Sequence, residues 1–492
     1  MKKLLLLLIT VLAASTALAD KIVFLDDPDD SIRARVHFIL TAEREIRAQY
    51  FTIEDDEVSA SGLSLLGKAA ERGVKVRIIV DAMHNLMSDE KMAALLLNPN
   101  VEIREYNNFK LYAPWRYSKR MHDKALIIDR HALIAGGRNV ANGYFGKASD
   151  DDEVTKPVLE DTDALVLDSS AIDEAANYFD NLWFSRFVKP VDLSYKDKKQ
   201  LAEGACDSKR FQSERGDNEY DDCEYRRKNN IKKVQAAMLS LNQAYQKTIA
   251  ENGNPTSKEG VLMAWDLLAV KTGNIDYIYD NPVGQKSNLE KPEALQNNIA
   301  KQLYAAVGRA QNHVVIVTPY FVVTPEQVEL FKMLRERGVK VEVFTNGKNS
   351  NDVSAAHVGY ENTVHLAEQQ GVRVWLYNGP DTLHAKMVLI DDSILFVGSF
   401  NWDFRSQNLN REVGIIADIT AVEQVNHLQT DIQDKLARIM SRSHPRGDGD
   451  NSNSKIGHLD ENQIRKLATM IRSSHSRTWL WDLLFPLIKG QL

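Results

Sequence analysis

The segment His122-Asp123-Lys124-Ala125-Leu126-Ile127-Ile128-Asp129 is followed by Gly136-Gly137-Arg138-Asn139. The pattern returns as His384-Ala385-Lys386-Met387-Val388-Leu389-Ile390-Asp391, followed by Gly398-Ser399-Phe400-Asn401. In both copies Lys follows His by two residues, Asp by seven and Asn by seventeen. A lone match to this spacing carries little weight; two in one register carry much more. The copies are 262 residues apart, and Arg72-Gly73-Val74-Lys75-Val76 recurs 265 residues on as Arg337-Gly338-Val339-Lys340-Val341. The chain reads as a duplicated unit.

Each copy of the Arg-Gly-Val-Lys-Val segment follows a helix-like stretch (Leu63–Glu71; Glu326–Glu336) and runs into an apolar strand (Val76–Val80; Val341–Phe344). Upstream, Ile46–Phe51 and Val314–Phe321 read as strands ending in Tyr-Phe. Strand, helix, glycine turn, strand predicts parallel strands in one sheet. The four apolar residues between Lys and Asp predict a buried strand. Alternate residues of a strand share a face, so His122 and Lys124 project together, as do His384 and Lys386. Short strands (Leu133–Ala135; Leu395–Val397) then lead to the turn that carries Asn139 or Asn401. Two such halves meeting face to face would form one pocket with two imidazoles and two ammonium groups.

That pocket suits phosphate chemistry. Lysines neutralise non-bridging oxygens and the charge that builds in the transition state. One imidazole can attack phosphorus while the other protonates the leaving oxygen and later deprotonates an incoming alcohol or water. No metal or other cofactor is required. A nucleophilic His works best as a neutral base held in one tautomer by a carboxylate. Asp161 and Glu412 follow the two motifs as candidates, with Asp163 competing for the first position.

Composition bounds the remaining classes. The chain has 492 residues, 43% hydrophobic and 26% charged, which indicates a globular protein of two or three domains. Sixty-one basic against 68 acidic residues give a net charge of −7, not the basic excess of an electrostatic nucleic-acid binder. Met1-Lys2-Lys3, the apolar run from Leu4 to Ala14 and Ala17-Leu18-Ala19 form the three parts of a secretory signal. An uncleaved anchor is the alternative. Cleavage after Ala19 would remove two lysines and leave a charge of −9. Export would also let Cys206 and Cys223, the only two cysteines, close a disulfide in a polar insert; two unpaired surface thiols are the other reading. Residues 443–457 read as a linker, and the tail at 458–492, with Trp479 and Trp481, as either a docked helix or a membrane-interfacial segment.

The paired motifs resemble the phospholipase D superfamily and, more narrowly, bacterial cardiolipin synthases of the C type. The stretches Tyr178-Phe179-Asp180 to Trp183, Asn351-Asp352 with His357-Val358-Gly359-Tyr360, and Asn410-Arg411-Glu412 carry the likeness further, over most of Asp30–Ile439. The resemblance implies an α/β fold: two tandem phospholipase D-like domains, each a mixed sheet flanked by helices, packed as a pseudo-two-fold pair with the active site between them. The expected division is a signal at 1–19, a first half at 20–190, a linker or insert at 191–298 and a second half at 299–442. It implies a phosphatidyl-histidine intermediate and transfer of a phosphatidyl group to phosphatidylglycerol. The implied catalytic set is His122, Lys124, Asp129, His384, Lys386 and Asp391. Asn139, Ser399, Asn401, Asp161 and Glu412 would support it, and His357 is a candidate for positioning substrate. His122 is assigned as nucleophile and His384 as acid/base, although the near-symmetry makes that reversible.

Other readings come with this one. An exported phospholipase D would use water in place of the alcohol and release phosphatidic acid; a nuclease of the same superfamily would act on nucleic acid. A non-catalytic membrane protein is disfavoured because both half-sites are complete. Phosphatidylglycerol, phosphatidylethanolamine and cardiolipin are the lipid candidates, with a membrane surface as partner and a periplasmic or membrane-associated location. Asp129 and Asp391 have a structural alternative at their strand ends, Trp402 lines an acyl groove or is core, and His84, His313 and His427 read as chemically idle.

Overall fold

The computed structural model describes residues 20–107, 119–147, 157–191, 193, 218–281, 298–348, 350–351, 353–420 and 427–447. The signal segment, Cys206, the side chain of Cys223, Asp352 and the C-terminal tail fall outside that description.

Two mixed sheets, each flanked by helices, form the molecule. In the first, the strands lie in the order Val270–Lys271, Lys21–Leu25, Asp163–Leu167, Ala132–Gly136, Lys124–Ile128, Glu45–Tyr50, Lys75–Asp81, Val101–Tyr106 and Val188–Pro190. In the second they run Ile275–Tyr279, Val413–Asp418, Ile394–Gly398, Met387–Ile390, His313–Val317, Lys340–Asn346, Arg373–Tyr377 and Ser443–Pro445. From Lys21–Leu25 onward the first list matches the second strand for strand. As the repeat predicts, Glu45–Tyr50 pairs parallel with Lys75–Asp81, and His313–Val317 with Lys340–Asn346. The helices Glu57–Glu71 and Pro325–Glu336 make the two crossovers. Each ends at a glycine with positive φ, Gly73 at 97° and Gly338 at 76°, which explains the repeated Arg-Gly-Val.

Alternation along the strands sorts the core. Leu126, Ile128, Ile134 and Leu165 pack under the helices of the first half, and Val388, Ile390 and Phe396 under those of the second. The alternate residues Ala125, Ile127, Leu133 and Val166 join Met387, Leu389, Leu395 and Val397 in one cluster that spans both halves. That shared apolar layer holds the halves together as a pseudo-two-fold pair.

Among the described residues between the halves, several elements join the two sheets. Asn218–Asn252 is a helix. Val270–Lys271 extends the first sheet beside Lys21, and Ile275–Tyr279 is the second sheet's counterpart of Lys21–Leu25. The second half therefore begins near residue 275, not 299. Its far edge is Ser443–Pro445, so the expected linker at 443 yields its first residues to the sheet. Among the described residues no helix is long and apolar enough to cross a membrane.

Candidate active site

Both histidines stand just before their strands, on segments that cross to the opposite half. The His122 backbone N–H donates to Arg411 O (2.8 Å), while Arg411 N–H donates to Arg120 O (2.8 Å). Likewise His384 N–H donates to Glu160 O (2.8 Å), beside the parallel pairing of Thr382–Leu383 with Leu159–Glu160. Each histidine is thus held against the residue preceding the other half's carboxylate.

The side chains follow. His122 Nδ1 lies 2.9 Å from Glu412 Oε2 and 3.1 Å from Ser399 O. His384 Nδ1 lies 2.6 Å from Asp161 Oδ2. Strand register settles which acid is equivalent to Glu412. Gly136 is opposite Asp163, and Gly398 is opposite Gly414, so Asp161 and Glu412 occupy the same place. Asp163 has another task, accepting from Ser31 Oγ and pairing with Arg35 and Arg138. A Cβ on Gly137 would lie 2.0 Å from Asp161 Oδ1, which is why the first copy needs Gly where the second has Ser399. Ser399 Oγ donates to Glu412 Oε2 (2.5 Å), so it orients that carboxylate.

Both lysines are buried. Lys124 Nζ donates to His122 O (2.7 Å), and Lys386 Nζ lies 2.7 Å from His384 Nδ1. Asn139 Oδ1 accepts from Thr52 N–H (3.0 Å) and its Nδ2 donates to Tyr144 Oη (2.8 Å). Tyr144 stands edge-on to His384 at 5.2 Å. Asn401 is buried at the matching position, with no hydrogen-bond partner for Oδ1 among the described residues.

The electrostatics break the symmetry. Burial, then the charges of Lys124, Lys386 and His384, push His122 well below its ordinary value, so it is neutral near pH 7. A carbonyl only accepts, so the bond to Ser399 O puts the His122 proton on Nδ1 and leaves Nε2 as the basic atom. Burial raises Glu412 to about 7, against the pull of Lys124 and three hydrogen bonds. Burial alone would raise Asp161 too, but Lys386 and His384 hold it below the usual carboxylate range. An ionised Asp161 stabilises positive charge on His384. Burial followed by Lys386 lowers Lys124 to about 7.

The expectation for two residues needs correction. Asp129 and Asp391 are not brought to the pocket. Each turns the chain at the far end of its strand, with φ of 51° and 49°. The Asp129 carboxylate accepts from the N–H groups of Glu43, Arg44 and Glu45, and Asp391 from those of Gln311, Asn312 and His313. Their spacing from His reflects strand length. His357 sits on the helix Ser354–Glu368, where its described neighbours are Glu361 and Tyr360. Trp402 is core, packed on Tyr304, Phe331 and Phe400.

His84, read as idle, lies at the pocket wall. It packs on Phe51 (4.0 Å between ring centroids), which itself meets His122 at 4.8 Å. Burial, then Arg120, Lys124 and Arg405, lower it to about 4. Ser406 Oγ donates to Glu412 Oε1 (2.6 Å), and Asp280 Oδ2 accepts from Glu412 N–H (3.0 Å). Neither had a sequence signal, because long-range packing alone brings them in. Among the described residues, no three His, Cys, Asp or Glu converge as a metal site.

Comparison with known proteins agrees with the duplicated architecture. A family model described as cardiolipin synthase, phospholipase D-like domain, matches twice, over residues 36–183 and 303–436. Cardiolipin synthase C of Escherichia coli (strain K12) is 25% identical over 423 residues, which span 80% of this chain and 81% of that protein. A cardiolipin synthase of Clostridium perfringens (strain SM101) is 22% identical over 391 residues, 79% of this chain and 65% of that one. The crystal structure of phosphatidylserine synthase from Haemophilus influenzae Rd KW20 superposes with a TM-score of 0.56 at 16% identity. The match covers 93% of this chain and 95% of that one, a likeness of fold.

Proposed function

Because the chain belongs to the phospholipase D-like family of cardiolipin synthases, and is an enzyme of that superfamily, we propose that it transfers a phosphatidyl group to phosphatidylglycerol through a phosphatidyl-histidine intermediate. The observation that carries this reading is the reciprocal pairing of His122 with Glu412 and His384 with Asp161, over two buried lysines.

The steps follow from the protonation states. His122 Nε2 attacks phosphorus with its lone pair, and the bond from phosphorus to the leaving alkoxide oxygen breaks. His384, charged against Asp161, gives that oxygen its proton. Lys124 and Lys386 neutralise the non-bridging oxygens as charge builds on them. In the second step the acceptor hydroxyl gives its proton to His384 while its oxygen attacks phosphorus. The P–N bond then breaks and returns the electron pair to Nε2. Water in place of the alcohol would yield phosphatidic acid, using the same groups.

The reading keeps Met1–Ala19 as an export signal, so the site works outside the cytoplasm, on lipid at a membrane surface, with Cys206 and Cys223 bridged. The charge of −9 left after removal of the signal supports lipid over nucleic acid. The test is a product assay with phosphatidylglycerol, with and without phosphatidylethanolamine, resolved by mass spectrometry. Cardiolipin is the expected product. Phosphatidic acid alone would replace the transferase with an exported phospholipase D, and neither product would end the lipid reading.

A further inference from the structure

We propose that an apolar cavity in the first half, outside the catalytic pocket, holds one acyl chain of the phospholipid undergoing transfer. This rests on the reading that the substrate is a phospholipid. The cavity lies between the helices Pro28–Leu40 and Glu57–Glu71 and the first sheet, and has a volume of about 430 Å³. Close-packed interiors leave few voids larger than a water molecule, whereas ligand sites run from roughly 300 Å³ upward.

Its chemistry selects the ligand. Ala48, Ile78 and Leu126 form the floor, with Val36, Leu66 and Phe145 among the walls. Such a lining offers ordered water few partners and suits a hydrocarbon. The cationic side chains at its edge are already paired: Arg33 with Asp30 (2.8 Å), Arg35 with Asp163 (2.9 Å) and Lys147 with Glu57 (2.7 Å). Asp29 and Glu251 add negative charge there, so the mouth does not select an anionic headgroup.

Its position ties it to catalysis. Three lining residues each adjoin a residue of the catalytic pocket. Tyr50 precedes Phe51, the ring against His122. Ile53 follows Thr52, whose N–H holds Asn139, and Val140 follows Asn139 itself. The cavity lining therefore borders, along the chain, residues that build the first half-site.

Gly62 supplies the test. It lines the cavity from within a helix, and a Cβ added there would meet only Val140 Cγ1, at 4.0 Å. Gly62→Phe should fill the space, Gly62→Leu is a smaller filler should the Phe variant melt early, and Gly62→Ala should leave most of the volume open. Binding of cis-parinaric acid, a fluorescent long-chain fatty acid, reads occupancy without turnover. Wild type and Gly62→Ala should bind it, and a filled variant should lose about tenfold or more in affinity. Dioleoyl phosphatidylglycerol should displace the probe. In the filled variant, kcat/KM should fall for dioleoyl but not for dihexanoyl phosphatidylglycerol. Unchanged probe affinity, an equal fall for both lipids, or displacement by palmitate alone would each overturn the proposal. No cardiolipin from dioleoyl phosphatidylglycerol with the wild type would instead sink the transferase reading, which the probe does not test.

Discussion

His122 in the first half hydrogen-bonds through Nδ1 to Glu412 in the second, 2.9 Å away and 290 residues along the chain. The reciprocal bond joins His384 to Asp161. Neither half thus has a complete histidine–carboxylate pair of its own. The two bonds are alike in geometry and unlike in charge: Asp161 is held ionised, whereas Glu412 titrates at about 7. That difference supports the proposed roles, with the neutral His122 imidazole over Glu412 as nucleophile and His384, over an ionised Asp161, as acid/base.

The role assignment predicts a leaving-group effect. His384→Ala and Asp161→Asn should slow the reaction of a natural phospholipid by about 10²–10⁴-fold, the range of general acid–base catalysis. A substrate with a p-nitrophenol leaving group needs no proton, so its burst of p-nitrophenol should return towards the wild-type rate in both variants. His122→Ala should not be rescued. Rescue of His122→Ala instead would exchange the roles.

The alkaline limb of activity should belong to Lys124. Its depressed value, about 7, means that the free enzyme loses this charge as pH rises through neutrality. Binding of a phosphodiester requires the protonated form, so kcat/KM should fall above about pH 7. In Lys124→Arg the guanidinium stays charged. The limb should leave the measurable range, at a lower plateau; a limb that stays put in this variant rules Lys124 out as its source.

Asp129 should matter for folding and little for chemistry. It is buried and its carboxylate gathers three backbone N–H groups, so Asp129→Asn should cost about 1.5–3 kcal/mol of stability. Denaturant melts measure this. Per folded molecule, kcat/KM should stay within about twofold, as for independent distant sites. A large loss of turnover without loss of stability would restore Asp129 to the catalytic set.

Much of this organisation can be read from the sequence, because the duplicated His-Lys strands and the Arg-Gly-Val turns are local patterns with fixed spacing. Local pattern also explains the misreadings. Asp129 keeps its distance from His122 because a strand of set length separates them, and spacing cannot distinguish that from shared chemistry. The crossing of Glu412 to His122 depends on how the halves dock. Asp161 could be separated from Asp163 only by strand register, since the acidic stretch before it differs in length from its counterpart. Ile275–Tyr279 reads as part of a linker because it is short; pairing with Val413–Asp418 makes it a strand. His84 reads as idle because a single His carries no periodic signal.

The proposed mechanism turns on a covalent intermediate on one histidine. Phosphoramidates survive alkali but not acid, so wild-type protein would be mixed with phosphatidylglycerol, quenched at high pH, digested and mapped by mass spectrometry. A phosphatidyl adduct is expected on His122, absent from His122→Ala and accumulating in His384→Ala when the substrate has a p-nitrophenol leaving group. An adduct on His384, or rapid turnover with no adduct on either histidine, would contradict it.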